Sequence, residues 1–134
     1  MIILMLTIIS YGCIMDVRGV GEMDIKVLID CYLDKARQYI YNGRYRMNPE
    51  DRNKLSIIGV SYWDAIYIVQ SLTHQDYVKG PEPDHKVPEQ EIYVFGSWFE
   101  EIELYIKLTF RVSNDLFIMS FHEAAYPMVY PFRT

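Results

Sequence analysis

From residue 24 to about residue 42, apolar side chains return at helical spacing: Val27, Cys31 with Tyr32, Ala36, then Tyr39 with Ile40. That rhythm predicts an amphipathic first helix. Asp24 and Asp30 toward its start and Arg37 toward its end suit the helix dipole, and Gly43 follows as a C-cap. Arg44 to Asn53, with Asn48-Pro49 and alternating charge, reads as a loop. Ser61 is a suitable N-cap for a second helix, Tyr62 to Ser71, whose Trp63, Ile66, Tyr67 and Val69 suggest a mostly buried body. Thr73-His74-Gln75-Asp76 has the form of a capping box, with Asp in place of Glu. It opens a short third helical turn expected to end at Gly80.

Beyond Gly80 the rhythm changes. Gly80 to Gln90 holds three prolines and reads as a stiff exposed loop. Alternation with period two then predicts strands at Glu91–Phe95, Glu103–Val112 and Leu116–His122, joined by turns at Gly96–Glu101 and Ser113-Asn114-Asp115. The tail Tyr126-Pro127-Met128-Val129-Tyr130-Pro131 is an extended aromatic strap, because its prolines bar a helix. The fold class is α+β: N-terminal helices followed by a small antiparallel β-meander, in a single domain over residues 23–134.

Residues 1–22 stand apart. Met1 to Met15 is almost wholly apolar, yet shorter than the roughly 20 residues of a membrane-spanning helix. It also lacks the basic residue that a signal peptide carries, since none precedes Arg18. Met23 begins an ordinary amphipathic-helix start, and Arg18-Gly19 can be encoded by a purine-rich ribosome-binding sequence three codons upstream. The favoured reading is a leader or mis-assigned extension over 1–22, with Met23 as the true start. A membrane or export segment is the alternative, and N-terminal sequencing of the natural protein separates them.

Composition narrows the function. A chain of 134 residues with 51% apolar and 23% charged residues can build one core. A net charge of −5 argues against DNA binding by the chain itself through phosphate neutralisation, but leaves room for a local basic cleft. Two cysteines, Cys13 and Cys31, and three scattered histidines show no metal-site spacing, so neither metal nor cofactor is expected. A reducing cytoplasm fits the cysteine usage best. The 12 tyrosines are unusual, although most suit half-buried strand and helix positions.

Strand alternation points to candidate chemistry. Leu104, Ile106, Leu108 and Phe110 face one way, into the core; Glu103, Tyr105, Lys107, Thr109 and Arg111 face the other. In the last strand Phe117, Met119 and Phe121 are expected in the core, leaving Ile118, Ser120 and His122 with the polar set. Tyr105, Lys107 and His122 then share one face. The bland reading is the solvated side of a half-buried sheet, which carries polar residues in any case. Imidazole titrates near neutrality and so suits general acid–base work, although a strand-end histidine is more often structural. Lys79, expected to close the third helical turn, can reach toward this face; its ordinary role there is a helix-end cation.

Taken in order, Asp76-Tyr77-Val78-Lys79, Tyr105-Ile106-Lys107 and Ser120-Phe121-His122-Glu123 resemble the MqsR-type toxins of bacterial toxin–antitoxin pairs. The resemblance is closer to a branch with Gly-Pro-Glu-x-Asp, Phe-Gly, Tyr-Ile-Lys, Ser-Phe-His-x-Ala and a Tyr-Pro tail. Here these are Gly80 to Asp84, Phe95-Gly96, Tyr105 to Lys107, Ser120 to Ala124 and Tyr130-Pro131. It covers roughly Met23 to the C-terminus. It implies a RelE-like fold, metal-independent cleavage of messenger RNA, and neutralisation by a cognate antitoxin protein, often one with a zinc-finger domain. The family's lysine after Asp-[Phe/Tyr]-x falls on Lys79 and its strand tyrosine on Tyr105. Its lysine after Ser-Phe is replaced by His122. A family glutamine near Gln90–Val94 has no secure match, and the acidic charge balance departs from the basic prototype.

The catalytic candidates are therefore Lys79, Tyr105 and His122, and the substrate-binding candidates are Lys107, Arg111 and Tyr77. In ordinary ribonuclease chemistry His122 or Tyr105 serves as acid or base, and Lys79 and Lys107 hold the phosphorane charge. A tyrosine ring stacks on a base of single-stranded RNA. An unperturbed phenol, with a pKa near ~10, is a poor base at pH 7, which favours the imidazole. The rival class is a non-catalytic interaction domain, a degenerate toxin that still binds an antitoxin-like partner.

Overall fold

The computed structural model describes residues 25–133, so the expectation for residues 1–22 lies outside the described residues. Helix α1 (Ile25–Tyr41) buries Ile29, Leu33, Ala36 and Ile40, one stripe at i, i+4, i+7 and i+11. It ends in a Schellman motif. Gly43, at φ 75°, donates to the Ile40 carbonyl, and the Arg44 amide reaches back to Tyr39 at 2.8 Å.

The expected loop over Arg44–Asn53 is two elements. Strand β1 (Tyr45–Met47) is followed by helix α2 (Pro49–Lys54), with Pro49 in its first turn and the Asn48 side chain accepting from the Glu50 amide at 3.0 Å. Asn48-Pro49 is thus a helix start rather than a turn. A 3-10 turn (Leu55–Ile58) leads to helix α3 (Tyr62–Gln70), where Ser61 caps the Asp64 amide as expected. α3 is less buried than expected. Ala65, Ile66 and Val69 face the core, while Trp63 and Tyr67 stand 69% exposed.

The Thr73–Asp76 capping box is present, but it supports only a 3-10 turn (His74–Asp76). The chain then extends into strand β2 (Tyr77–Pro83). Lys79 therefore lies on a strand and is not a helix-end cation. Most of the expected Gly80–Gln90 loop's first half belongs to that strand, with a cis peptide at Gly80-Pro81.

Strands β3 (Glu91–Phe99), β4 (Ile102–Phe110) and β5 (Leu116–Glu123) complete one five-stranded sheet in the order β1-β5-β4-β3-β2. All neighbours are antiparallel except β1 with β5. The fold is α+β, and the meander has four strands rather than three. One face of the sheet packs Phe95, Leu104, Ile106, Leu108, Leu116, Ile118 and Phe121 against α1 and α3. The other face is open and is crossed by the C-terminal tail. Among the described residues, no helix is long and apolar enough to cross a membrane.

One irregularity decides which side chains reach the open face. In β5 the pairing with β4 slips, with Lys107 opposite Ser120 but Leu108 opposite Ile118, so Met119 is an extra, bulged residue. Before the bulge Leu116 and Ile118 point inward; after it Phe121 does. The expected inward set of Phe117, Met119 and Phe121 holds only for Phe121. Ile118 is buried on the helix side rather than grouped with the polar residues. Thr109, expected among the exposed polar residues, is fully buried, and its hydroxyl donates to the Glu91 carbonyl at 2.7 Å.

Candidate active site

On the open face the β4–β5 register sets Tyr105 opposite His122 and Lys107 opposite Ser120. The Tyr105 and His122 rings stack with centroids 5.1 Å apart and planes 11° apart. Lys107 Nζ lies 5.8 Å from the Tyr105 ring centroid. Two strands away, Lys79 sits opposite Val94, between two irregularities in the β2–β3 pairing. Its amine is 3.8 Å from the Glu82 carboxylate, a loose pair that leaves both side chains about half exposed.

His122 Nδ1 lies 2.9 Å from the Glu123 carbonyl oxygen. A carbonyl can only accept, so this bond holds the proton on Nδ1 and leaves the lone pair on Nε2. Lys79, Tyr105, Lys107, Ser120 and His122 line one open groove of about 570 Å³, whose far wall is the tail from Ala124 to Val129.

That wall is clasped from below. Glu103, on the open face of β4, accepts the Tyr130 hydroxyl at 2.6 Å and the Met128 amide at 3.3 Å. Burial first, then the hydrogen bond to Glu103, pushes the Tyr130 phenol well above its ordinary value, which keeps it a donor. The ring sits where a side chain on Gly96 would be: a Cβ there would come within 2.8 Å of Tyr130 Cε1 and 2.9 Å of Cζ. Further along, Arg133 bonds Asp76 at 2.8 Å, and the Phe132 ring centroid is 5.5 Å from that of Tyr77.

Two of the expected site residues lie elsewhere. Tyr77 packs its ring against Tyr93, Phe95 and Phe132 on the helix side of the sheet, and its hydroxyl donates to the Gly80 carbonyl. Burial raises its pKa. Arg111 lies just past the end of β4 and grips Asp115 through Nε at 2.8 Å and Nη2, with its Cζ 4.4 Å from the Phe117 ring centroid. The Arg111 hydrogen bonds hold the Asp115 carboxyl below its usual value, so the cation is neutralised where it stands. Gln90 is buried, accepting from the Val112 amide and donating to Asp84, and it orders the β2–β3 loop.

The groove's supports escape a sequence reading. Glu103 looked like one more exposed strand charge, and the tail's destination was not encoded in its prolines. The Phe-Gly of Phe95-Gly96 was the one available signal, since a glycine inside a strand marks a close approach. Among the described residues no cluster of three or more His, Cys, Asp or Glu side chains is placed to hold a metal ion. No family model matches the chain, and no curated protein matches it.

The groove offers a lone pair on an imidazole, a phenol stacked on that imidazole, and two ammonium groups. As the imidazole gains a proton, the π-face of Tyr105 stabilises the cation formed. Lys79 and Lys107 supply positive charge where an anion would accumulate, and the apolar tail flanks the groove on one side. This set can move a proton away from a hydroxyl and stabilise an anionic, phosphorane-like transition state.

Proposed function

We propose that this chain is the toxin of a type II toxin–antitoxin pair, with a RelE-like fold, acting in the cytoplasm as an endoribonuclease on messenger RNA. The observation that carries this reading is the stacked Tyr105–His122 pair flanked by Lys79 and Lys107 in one groove. His122 Nε2 takes the proton of a ribose 2′-OH. The 2′-oxygen forms a bond to the adjacent phosphorus, and the bond from phosphorus to the 5′-oxygen breaks. The leaving oxygen takes a proton from the Tyr105 phenol, giving a 2′,3′-cyclic phosphate and a 5′-hydroxyl. Lys79 and Lys107 neutralise the phosphorane, so the two lysines do the electrostatic work that a metal ion does elsewhere. A cognate antitoxin, of the zinc-finger-bearing kind the resemblance implies, holds the activity in check.

The test is induced expression of the chain in a bacterium beside Lys79→Ala and His122→Ala, following growth and RNA 5′-ends together. Arrest and new transcript ends that both variants abolish support the toxin. Normal growth and unchanged ends with folded wild-type protein would overturn it and leave the binding module as the reading.

A further inference from the structure

The open face carries a second groove, of about 480 Å³, immediately beyond the first, and Lys107 lines both. Its other walls include His85 and Lys86 from the β2–β3 loop and Phe117 and Met119 from β5. From the Tyr105–His122 row to the Thr109–Phe117 row is four residues along β4. At ~3.4 Å per residue that is about 14 Å, too long a path for a single phosphodiester to fill.

The chemistry of this second groove is that of a nucleotide subsite. Lys86 and His85 are exposed, and neither side chain forms an ion pair or hydrogen bond among the described residues. Asp84, the one acidic residue among the described lining residues, is committed to the loop: its carboxylate accepts the Lys86 amide at 2.9 Å and the Gln90 side chain at 3.3 Å. That bond fixes the backbone at Lys86. Phe117, outward between inward Leu116 and Ile118, and the bulged Met119 give an apolar floor, and Arg111 stacks on the Phe117 ring to hold it. In a chain of net charge −5, an exposed ammonium and an exposed imidazole beside an aromatic floor form a local exception suited to a phosphate and a base.

Resting on the ribonuclease reading, we infer that the substrate lies along β4 across both grooves. The scissile phosphate sits at Tyr105 and His122. A neighbouring nucleotide of the same single strand places its base on Phe117 and Met119, and its phosphate is held by Lys86 with His85.

The test uses the full chain with Lys86→Glu and His85→Ala, both at exposed loop positions. It compares cleavage of a dinucleotide with cleavage of a hexanucleotide, and measures binding of an uncleavable 2′-O-methyl hexanucleotide. The expected result is a KM for the hexanucleotide about tenfold higher in Lys86→Glu, with kcat and dinucleotide cleavage unchanged. The salt slope of log Kd should also fall by about 0.7 for the one lost phosphate contact. Equal effects on both substrates, or none on either, overturn the subsite. If the wild type cleaves nothing but binds the hexanucleotide, and Lys86→Glu weakens that binding, the subsite stands and the hydrolytic reading falls. If the wild type neither cleaves nor binds, both fall.

Discussion

The carboxylate of Asp51 accepts the backbone amide of Phe121 at 2.8 Å, across 70 residues of chain. Beside it Asn48 donates from Nδ2 to the Met119 carbonyl at 3.1 Å, and its own amide donates to Ile118 at 2.9 Å. Helix α2, which buries no side chain of its own, and its cap Asn48 thus satisfy backbone groups of β5 on either side of the bulge. Strict alternation from Ile118 would send Ser120 and His122 toward the helices. The bulge sends them to the groove. Asp51→Ala is expected to cost about 1–2 kcal/mol in stability and at least tenfold in kcat, with Asp51→Asn, which keeps an acceptor oxygen, restoring most of both. Paired denaturation and single-turnover cleavage measure this; unchanged turnover in Asp51→Ala removes the positioning role.

Tyr105→Phe keeps a ring stacked on His122 but removes its proton. Turnover is expected to fall by about 10²-fold with little change in KM, and Tyr105→Ala, which also loses the stack, should fall further. Equal kcat values for Tyr105→Phe and wild type would assign the leaving-group proton to another donor.

Gly96→Ala places a methyl group where the Tyr130 ring lies. The strain, on the order of 1–3 kcal/mol, is expected to fall on the tail more than on the sheet. Hydrogen exchange should therefore speed up around Met128 while the β3 and β4 amides stay protected. Uniform loss of protection across the sheet would contradict a local effect.

The clasp also sets a pH dependence. The folded Tyr130 phenol stands above the ~10 of an unfolded tyrosine. Its contribution is therefore complete below pH ~10 and is lost as pH rises through the folded value. The NMR shift of the Met128 methyl should hold constant from neutral pH to about 10 and move above it. In Tyr130→Phe it should begin at the released position, and a wild-type transition near neutrality would rule out this origin.

The Tyr32 ring packs against Tyr93, Phe95 and Phe110, and its buried hydroxyl has no hydrogen-bond partner among the described residues. Burial is the main cause that raises its pKa. Tyr32→Phe removes an unsatisfied polar atom while keeping the ring, and is expected to stabilise the protein by up to ~1 kcal/mol. A lower denaturation midpoint in the variant would show that the hydroxyl is bonded after all.

Periodicity revealed α1, α3, β3 and β4 from stripes that the sequence repeats, and it located β5 but put Phe117 and Met119 inward where Leu116 and Ile118 lie. It missed β1 and α2 because three residues are too few for a pattern and α2 has no buried face to advertise. Lys79, Tyr105, Lys107 and His122 were legible as residue types in motifs, and the first groove brings these four together. The reason His122 faces outward was not legible. A bulge breaks period two, and the side chains that bond its backbone, Asn48 and Asp51, lie far away in sequence. Arg111 misled because strand alternation cannot see a carboxylate four residues on that captures the guanidinium.

The tail that walls the first groove follows every other part of that groove in the chain. The cleft around Lys79, Lys107 and His122 is therefore closed on that side only by its last segment, once Tyr130 reaches Glu103 and its ring lies over Gly96. In the proposed ribonuclease, docking of this tail is the step that completes the cleft.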